Sequence, residues 1–266
     1  MLIDVHAHFH HAAGARIDWR ERNASRLAAG EQIGITAHVA SILGSWGHTS
    51  PTYFPSPTDV TVGNDALLAL MAEHPDRIRG YVCVNPNYTA HAVAEIARCL
   101  DRGMIGIKLA ASRRADDPLV DPIGDAARAR GVPVLQHIWQ HRRREWPGQE
   151  ASDAVELVAL ARRHRDVAFI LAHIGGGGDW LHTLRAVRSA ANVFIDLSGS
   201  GVDRGMLEGC VAAVGTGRLL WGCDLTIDTG LAKLRYLERI LPADDVDRVR
   251  WRNAAAIFPA DAFGAT

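Results

Sequence analysis

The sequence predicts an α/β protein folded as a (β/α)8 TIM barrel, a single domain spanning residues 1–266. Three observations support this. The length of 266 residues suits one such barrel. Eight short apolar runs alternate with helical patterns from one end of the chain to the other. The runs are apolar throughout rather than alternating, as expected of a parallel sheet buried on both faces.

The first predicted strand is Leu2–His8, followed by Gly34–Leu43, Arg79–Val84 and Ile105–Leu109. Val132–His137, Val167–His173, Val193–Leu197 and Arg218–Asp224 complete the set. Each is rich in Val, Ile and Leu and bounded by Gly, Pro, Asn or Asp. Helical patterns fall between them at Asn64–His74, Ala90–Arg102, Asp121–Arg130 and Ser152–Arg165. Further patterns follow at Asp179–Ala190, Arg204–Val214 and Leu231–Leu241, with a last helix at Ala243–Ile257. Capping residues open several, and Gly or Pro closes several. Arg16–Ala29 also reads as helical, inside a long insertion after the first strand. Gly44–Gly63, with three prolines and three aromatics, reads as a long loop. Both segments follow strands, so both belong to the catalytic face of a barrel. An open doubly wound sheet is the alternative, but no glycine fingerprint follows the first strand.

Composition narrows the function classes. The net charge is −1 and no basic stripe is present, which argues against nucleic acid as a partner. No apolar run approaches a membrane span. The four cysteines, at 83, 99, 210 and 223, form no CxxC pair. With Asp4 and His6 leaving no room for a signal peptide, they predict a cytoplasmic protein with reduced thiols. The expected partner is a small-molecule substrate.

The chemistry-bearing residues sit at strand ends. His6 and His8 are two apart on one strand, so both imidazoles point the same way and can grip one metal ion. His137, His173 and Asp224 each terminate an apolar run, at the end where barrels place their chemistry. Buried histidine and aspartate need partners, and one metal at the mouth would satisfy several at once. Asp4 shares the direction of His6 and His8 but lies deeper, and is expected to support the site by hydrogen bonding. His38 reads as a core residue. His10 and His11 read as loop residues, and His74, His91, His164 and His182 as surface residues. Asp196 and Ser198 end the seventh strand at the same mouth.

In this order, HxH, His, His and Asp on the first, fifth, sixth and eighth strands, the sequence resembles the amidohydrolase superfamily. Local stretches agree: Ile3-Asp4-Val5-His6-Ala7-His8, Gly106-Ile107-Lys108-Leu109, Leu171-Ala172-His173-Ile174-Gly175-Gly176, Trp221-Gly222-Cys223-Asp224 and Asn253–Phe258. They are most similar to the amidohydrolase 2 branch, which holds hydrolases of carboxylated lactones and decarboxylases of aromatic-type acids. The resemblance implies that His6, His8, His137 and Asp224 bind the metal and that Asp224 also takes a proton from bound water. His173 would be a ligand in a binuclear site, or a hydrogen-bonding acid in a mononuclear one. Lys108 would contact the substrate, the reading preferred here over a carboxylated, metal-bridging lysine. Two departures are visible. Cys223 stands where the branch often has Ser, and Ala110 where many relatives have His. The resemblance also implies a homo-oligomer, although no interface signature is visible.

Three histidines and a carboxylate suit one divalent ion, zinc first and manganese as the alternative. Such an ion lowers the pKa of bound water from about 15.7 to about 7. The substrate contacts expected from position are Trp46, His48, Tyr53 and Phe54 after the second strand. Trp139, His141 and Arg142–Arg144 after the fifth strand join them, with Arg142 able to fork onto a carboxylate. Gly175–Gly178 is expected to let backbone pass close to the site. The predicted function is a metal-dependent hydrolase of a small C–N, ester or lactone substrate bearing a carboxylate. Non-oxidative decarboxylation on the same ligands is the alternative, and a metal-free binding barrel the third reading.

Overall fold

The eight apolar runs become eight parallel strands paired in chain order: β1 (Ile3–His8), β2 (Ala37–Ser41), β3 (Ile78–Val84), β4 (Gly106–Leu109), β5 (Val134–Gln136), β6 (Phe169–Leu171), β7 (Val193–Asp196) and β8 (Leu219–Leu220). A computed structural model describes residues 1–14, 16–43, 53–140, 149–176, 178–201 and 203–264. β8 returns to β1. The Val5 N–H donates to the Trp221 carbonyl at 3.1 Å, and the Asp224 N–H to the His6 carbonyl at 2.7 Å. Ala7 and Asp224 form a parallel bridge at the top of the seam. The predicted (β/α)8 barrel is therefore the fold.

Each strand is followed by its helix: α1 (Trp19–Gln32), α2 (Pro57–Glu73), α3 (Thr89–Leu100), α4 (Asp121–Arg130), α5 (Ala154–Arg163), α6 (Trp180–Val187), α7 (Met206–Val214) and α8 (Ile227–Ile240). Two short helices, α9 (Ala243–Asp247) and α10 (Asn253–Ile257), close the chain. Helix α2 corrects the expected Gly44–Gly63 loop, since residues 57–63 are helical. Ser56 accepts from the Asp59 N–H at 3.2 Å, and Pro57 occupies the first turn. A proline there is a helix start rather than a loop marker. The predicted Ala243–Ile257 helix is present over its whole length, with a π-wound turn at Arg248–Arg252 joining α9 to α10 where the segment docks against β8. There Asn253 Nδ2 donates to the carbonyls of Thr216 and Leu219, and the Trp221 N–H donates to Val249.

Strand alternation sorts the core into two layers. Val39, Tyr81, Leu135, Ile170 and Leu220 fill the barrel interior with Val5, and Phe258 plugs its lower end. Val82, Ile107, Val134, Phe169, Leu171 and Ile195 face outward under the helices. On β1 this alternation breaks. The pairing with β2 shifts register between Asp4 and Ala7, a bulge that lets Val5 and His6 both serve the interior. Asp4 consequently turns toward α1, not along with His6 and His8 as strict alternation predicts. It meets Arg26 of α1 at 2.9 Å and His38 Nδ1 at 2.9 Å.

His164 is also corrected. Expected on the surface, it is buried, with Nε2 3.0 Å from Asp121 Oδ1. His38 is fully buried as a core residue facing α1, where a Cβ on Gly30 would lie 2.6 Å from its Nε2. Among the described residues, no helix is long and apolar enough to cross a membrane.

Candidate metal centre

The C-terminal mouth of the barrel gathers the residues singled out in the sequence. His6 and His8 end β1, and Asp224 lies just past β8. One donor atom from each lies within 4.8 Å of the others. His8 Nε2 is 3.2 Å from Asp224 Oδ1, and His6 Nε2 is 3.7 Å from the same oxygen. Two ligands sharing one ion at bonds of about 2.1 Å and a tetrahedral angle stand about 3.4 Å apart. The observed separations bracket that value.

The other ring nitrogens fix how these imidazoles are used. His6 Nδ1 lies 2.7 Å from Asp196 Oδ2, and His8 Nδ1 lies 3.2 Å from the Ser41 carbonyl. Both partners are acceptors, so each neutral ring places its N–H on Nδ1 and leaves the Nε2 lone pair facing the mouth. Burial holds the His6 pKa well below 6.5, and the nearby Lys108 charge adds to that. Burial alone would raise the Asp224 pKa, but the facing imidazoles of His8, His6 and His173 hold it well below 3.8. A carboxylate oxygen thus faces two nitrogen lone pairs. That arrangement of donors fits a cation.

His137 and His173 form the other side of the mouth. Their rings are 4.4 Å apart between centroids, and His137 Nδ1 lies 3.1 Å from His173 Nε2. His137 does not join the group of three donor atoms. His137 Nε2 and His173 Nδ1 are buried without a hydrogen-bond partner among the described residues. An orphaned buried imidazole nitrogen is costly unless something binds it, which also fits a metal or substrate here. Burial lowers the pKa of both rings; the charges of His173 and Lys108 lower His137 further, while at His173 the Asp224 charge opposes burial and Lys108 adds to it.

His173 reaches the mouth by backbone conformation. Alternation through Ile170 and Ala172 would direct it outward, but its φ of 41° turns it in. Asp224 likewise has φ of 60°. Non-glycine residues in this region persist only where surrounding contacts hold them, and they concentrate at functional sites. The glycines after His173 allow the close approach. A Cβ on Gly175 would sit 2.7 Å from the Gly201 carbonyl, and one on Gly176 3.0 Å from His173 Nδ1.

Lys108 is fully buried on β4, with Nζ 3.2 Å from His6 Nε2. Burial brings its pKa down to about 8. The Trp139 ring lies tilted against His137 at 4.5 Å between centroids and meets Tyr53 edge-on at 5.6 Å. Asp196 is the hub beneath the site. It accepts from His6, from Ser198 Oγ at 2.5 Å and from the His173 and Ser198 N–H groups at 3.0 and 2.9 Å. Cys223 is buried in the outer layer, packing as an apolar residue. Trp46, His48, His141, Arg142, Arg143 and Arg144 lie outside the described residues.

Beside His8 a cavity of about 670 Å³ opens between α1 and the start of α8. His8, His11, Arg22, Arg26, Leu225 and Asp228 are among its walls. Sequence reasoning missed Arg26. Helix α1 carries Arg20, Arg22 and Arg26, and only the contacts of Arg26 distinguish it from the other two.

A parallel barrel with a histidine- and carboxylate-lined mouth defines a class of metal-site barrels. A family model described as amidohydrolase matches residues 3–260, and the chain belongs to that family. No curated protein matches the sequence. Several solved structures are similar. One is 5-carboxyvanillate decarboxylase from Sphingomonas paucimobilis, at 19% identity and a TM-score of 0.72, covering 97% of this chain and 98% of that one. Another is a dihydroxybenzoic acid decarboxylase from Polaromonas with bound manganese, at 16% identity and a TM-score of 0.69, covering 96% of each chain. A third is 4-oxalomesaconate hydratase from Rhodopseudomonas palustris, at 15% identity and a TM-score of 0.68, covering 97% of this chain and 96% of that one. At these identities the likeness establishes the fold alone.

Proposed function

We propose that this chain is a metal-dependent hydrolase that adds water to a small C–N, ester or lactone substrate bearing a carboxylate. The observation that carries this reading is the Asp224 carboxylate facing the Nε2 atoms of His6 and His8 at 3.7 and 3.2 Å. His6, His8 and Asp224 would hold a zinc or manganese ion, with His137 Nε2 as a further ligand. That ion would supply Lewis acidity and a water acidic enough to react at neutral pH.

The chain's own residues do the rest. Asp224, ionised throughout the neutral range, is the proton acceptor for the attacking water. His173, at the mouth, keeps one buried ring nitrogen without a partner among the described residues and would donate to the oxygen that gains charge as the carbonyl is attacked. Lys108, still largely protonated at neutral pH, offers its ammonium to a substrate carboxylate. Trp139 and Tyr53 supply an aromatic wall that excludes water from that side. Asp196 fixes the His6 tautomer so that Nε2 stays available.

The test is a panel of carboxylated lactones, amides and aromatic acids assayed on metal-loaded protein, with Asp224→Asn alongside. Asp224→Asn should keep its metal within about tenfold in affinity while turnover falls by roughly 10²–10⁴. Wild-type turnover in that variant would remove the assigned role. Release of CO₂ without hydrolysis would replace the hydrolase reading by a decarboxylase on the same ligands.

A further inference from the structure

Asp224 lies four residues beyond Leu220, the last residue of β8, in a left-handed backbone conformation that few non-glycine residues adopt, although aspartate tolerates it better than most. Strand pairing alone does not hold it there. Its N–H is tied to the His6 carbonyl across the seam. Its carbonyl is tied to something else. Arg26, contributed by α1 and 198 positions away in sequence, donates from Nη1 to the Asp224 carbonyl at 2.8 Å. The same Nη1 reaches the Leu225 carbonyl at 3.3 Å. Its Nη2 donates to Asp4 Oδ2 at 2.9 Å. The guanidinium also lies over the Phe9 ring at 5.9 Å, and the side chain is only 8% exposed.

Asp4 binds this clasp into the seam. It is fully buried and also accepts the Cys223 N–H at 2.9 Å, the His6 N–H at 3.2 Å and His38 Nδ1 at 2.9 Å. A single buried ion pair thus touches the backbone beside both arms of the donor group. A planar guanidinium suits this task, because it directs several N–H groups at fixed angles to separate acceptors. Without it, two carbonyls lose a charged donor and Asp224 can relax out of its left-handed conformation, which swings its carboxylate away from His6 and His8.

We infer that Arg26 is a positioning residue for Asp224, setting metal affinity through the backbone rather than by contact with metal or substrate. The inference rests on the reading of Asp224 as a metal ligand, and the experiment keeps the two apart. Zinc affinity is measured by competition with a chromogenic chelator for wild type, Arg26→Lys, Arg26→Met and Asp224→Ala, with thermal melts of each. Arg26→Lys keeps the charge that Asp4 requires but cannot span all three acceptors, so it should fold. Its zinc affinity should fall roughly tenfold, as expected for loss of a charge-assisted hydrogen bond. Arg26→Met should fall further. In zinc-saturated protein the loss should appear in kcat, with KM nearly unchanged. Zinc affinity unchanged in Arg26→Lys while Asp224→Ala loses zinc would overturn the role of Arg26 and leave the metal site intact. A raised KM at unchanged kcat and affinity would likewise overturn it, making Arg26 a wall of the adjoining cavity. Unchanged zinc binding in Asp224→Ala would instead overturn the reading of Asp224 on which both rest.

Discussion

Replacing Asp196 by Asn isolates the support beneath His6 without touching any proposed ligand. Asp196 Oδ2 accepts three donors, His6 Nδ1, Ser198 Oγ and the His173 N–H, while Oδ1 accepts the Ser198 N–H. An asparagine can place its oxygen at only one of these positions. The better choice puts it at Oδ2, and its NH₂ then confronts the Ser198 N–H. One buried donor left unsatisfied costs about 1–3 kcal/mol. Burial raises the Asp196 pKa, so removing the charge offsets part of that loss. The net cost should sit at the lower end, about 1 kcal/mol, or about 2–4 °C in melting temperature for a chain of this size. The effect on metal should be larger. The charge that polarises the His6 N–H is gone, and losses of 10–100-fold in affinity are typical for such partners. That corresponds to about 1.4–2.7 kcal/mol. Chelator competition measures the affinity, and a thermal melt of metal-free protein measures the stability. Affinity within twofold of wild type would refute the argument that Asp196 sets the His6 tautomer and orientation.

Two further outcomes follow from packing and charge. Gly222→Ala should destabilise by about 1–3 kcal/mol, as overpacking does in a close-packed core. Its new Cβ would sit 2.6 Å from Asp196 Oδ1 and 3.1 Å from His6 Cβ, and an unchanged melting temperature would mean that the seam has slack. Glu95→Gln concerns acid stability. Burial would raise the Glu95 pKa, but two bonds from Arg98 and one from Asn64 hold it below 4.5. Because the folded value is depressed, its contribution is present at neutral pH and is lost as pH falls through the folded value. The variant should therefore lose about 1–2 kcal/mol in urea unfolding at neutral pH and nothing in strong acid. An equal loss at both would refute the linkage.

Much of the site was legible because barrel chemistry collects at strand ends. A polar residue closing an apolar run is visible without coordinates, and His6, His8, His137, His173 and Asp224 all have that signature. The barrel, with its sheet buried on both faces, followed from apolar runs alternating with helical patterns. Pro57–Gly63 was misread because proline at a helix start looks, by composition, like proline in a loop. Asp4 was assigned the wrong face because alternation assumes an unbroken register, and a bulge is set by pairing with β2 rather than by β1 itself.

The sequence by itself determined the barrel, the family resemblance and the residues at its mouth, since hydrophobic period and residue type are local properties. Tertiary structure decided how those residues meet. The left-handed turns at His173 and Asp224, the pairing of His137 with His173 and the hub at Asp196 depend on contacts between distant strands. Arg26 gives the physical reason in its simplest form. Its partners lie 22 and 198 positions away, and no spacing rule connects a helix arginine to a backbone carbonyl across the closing seam of a barrel.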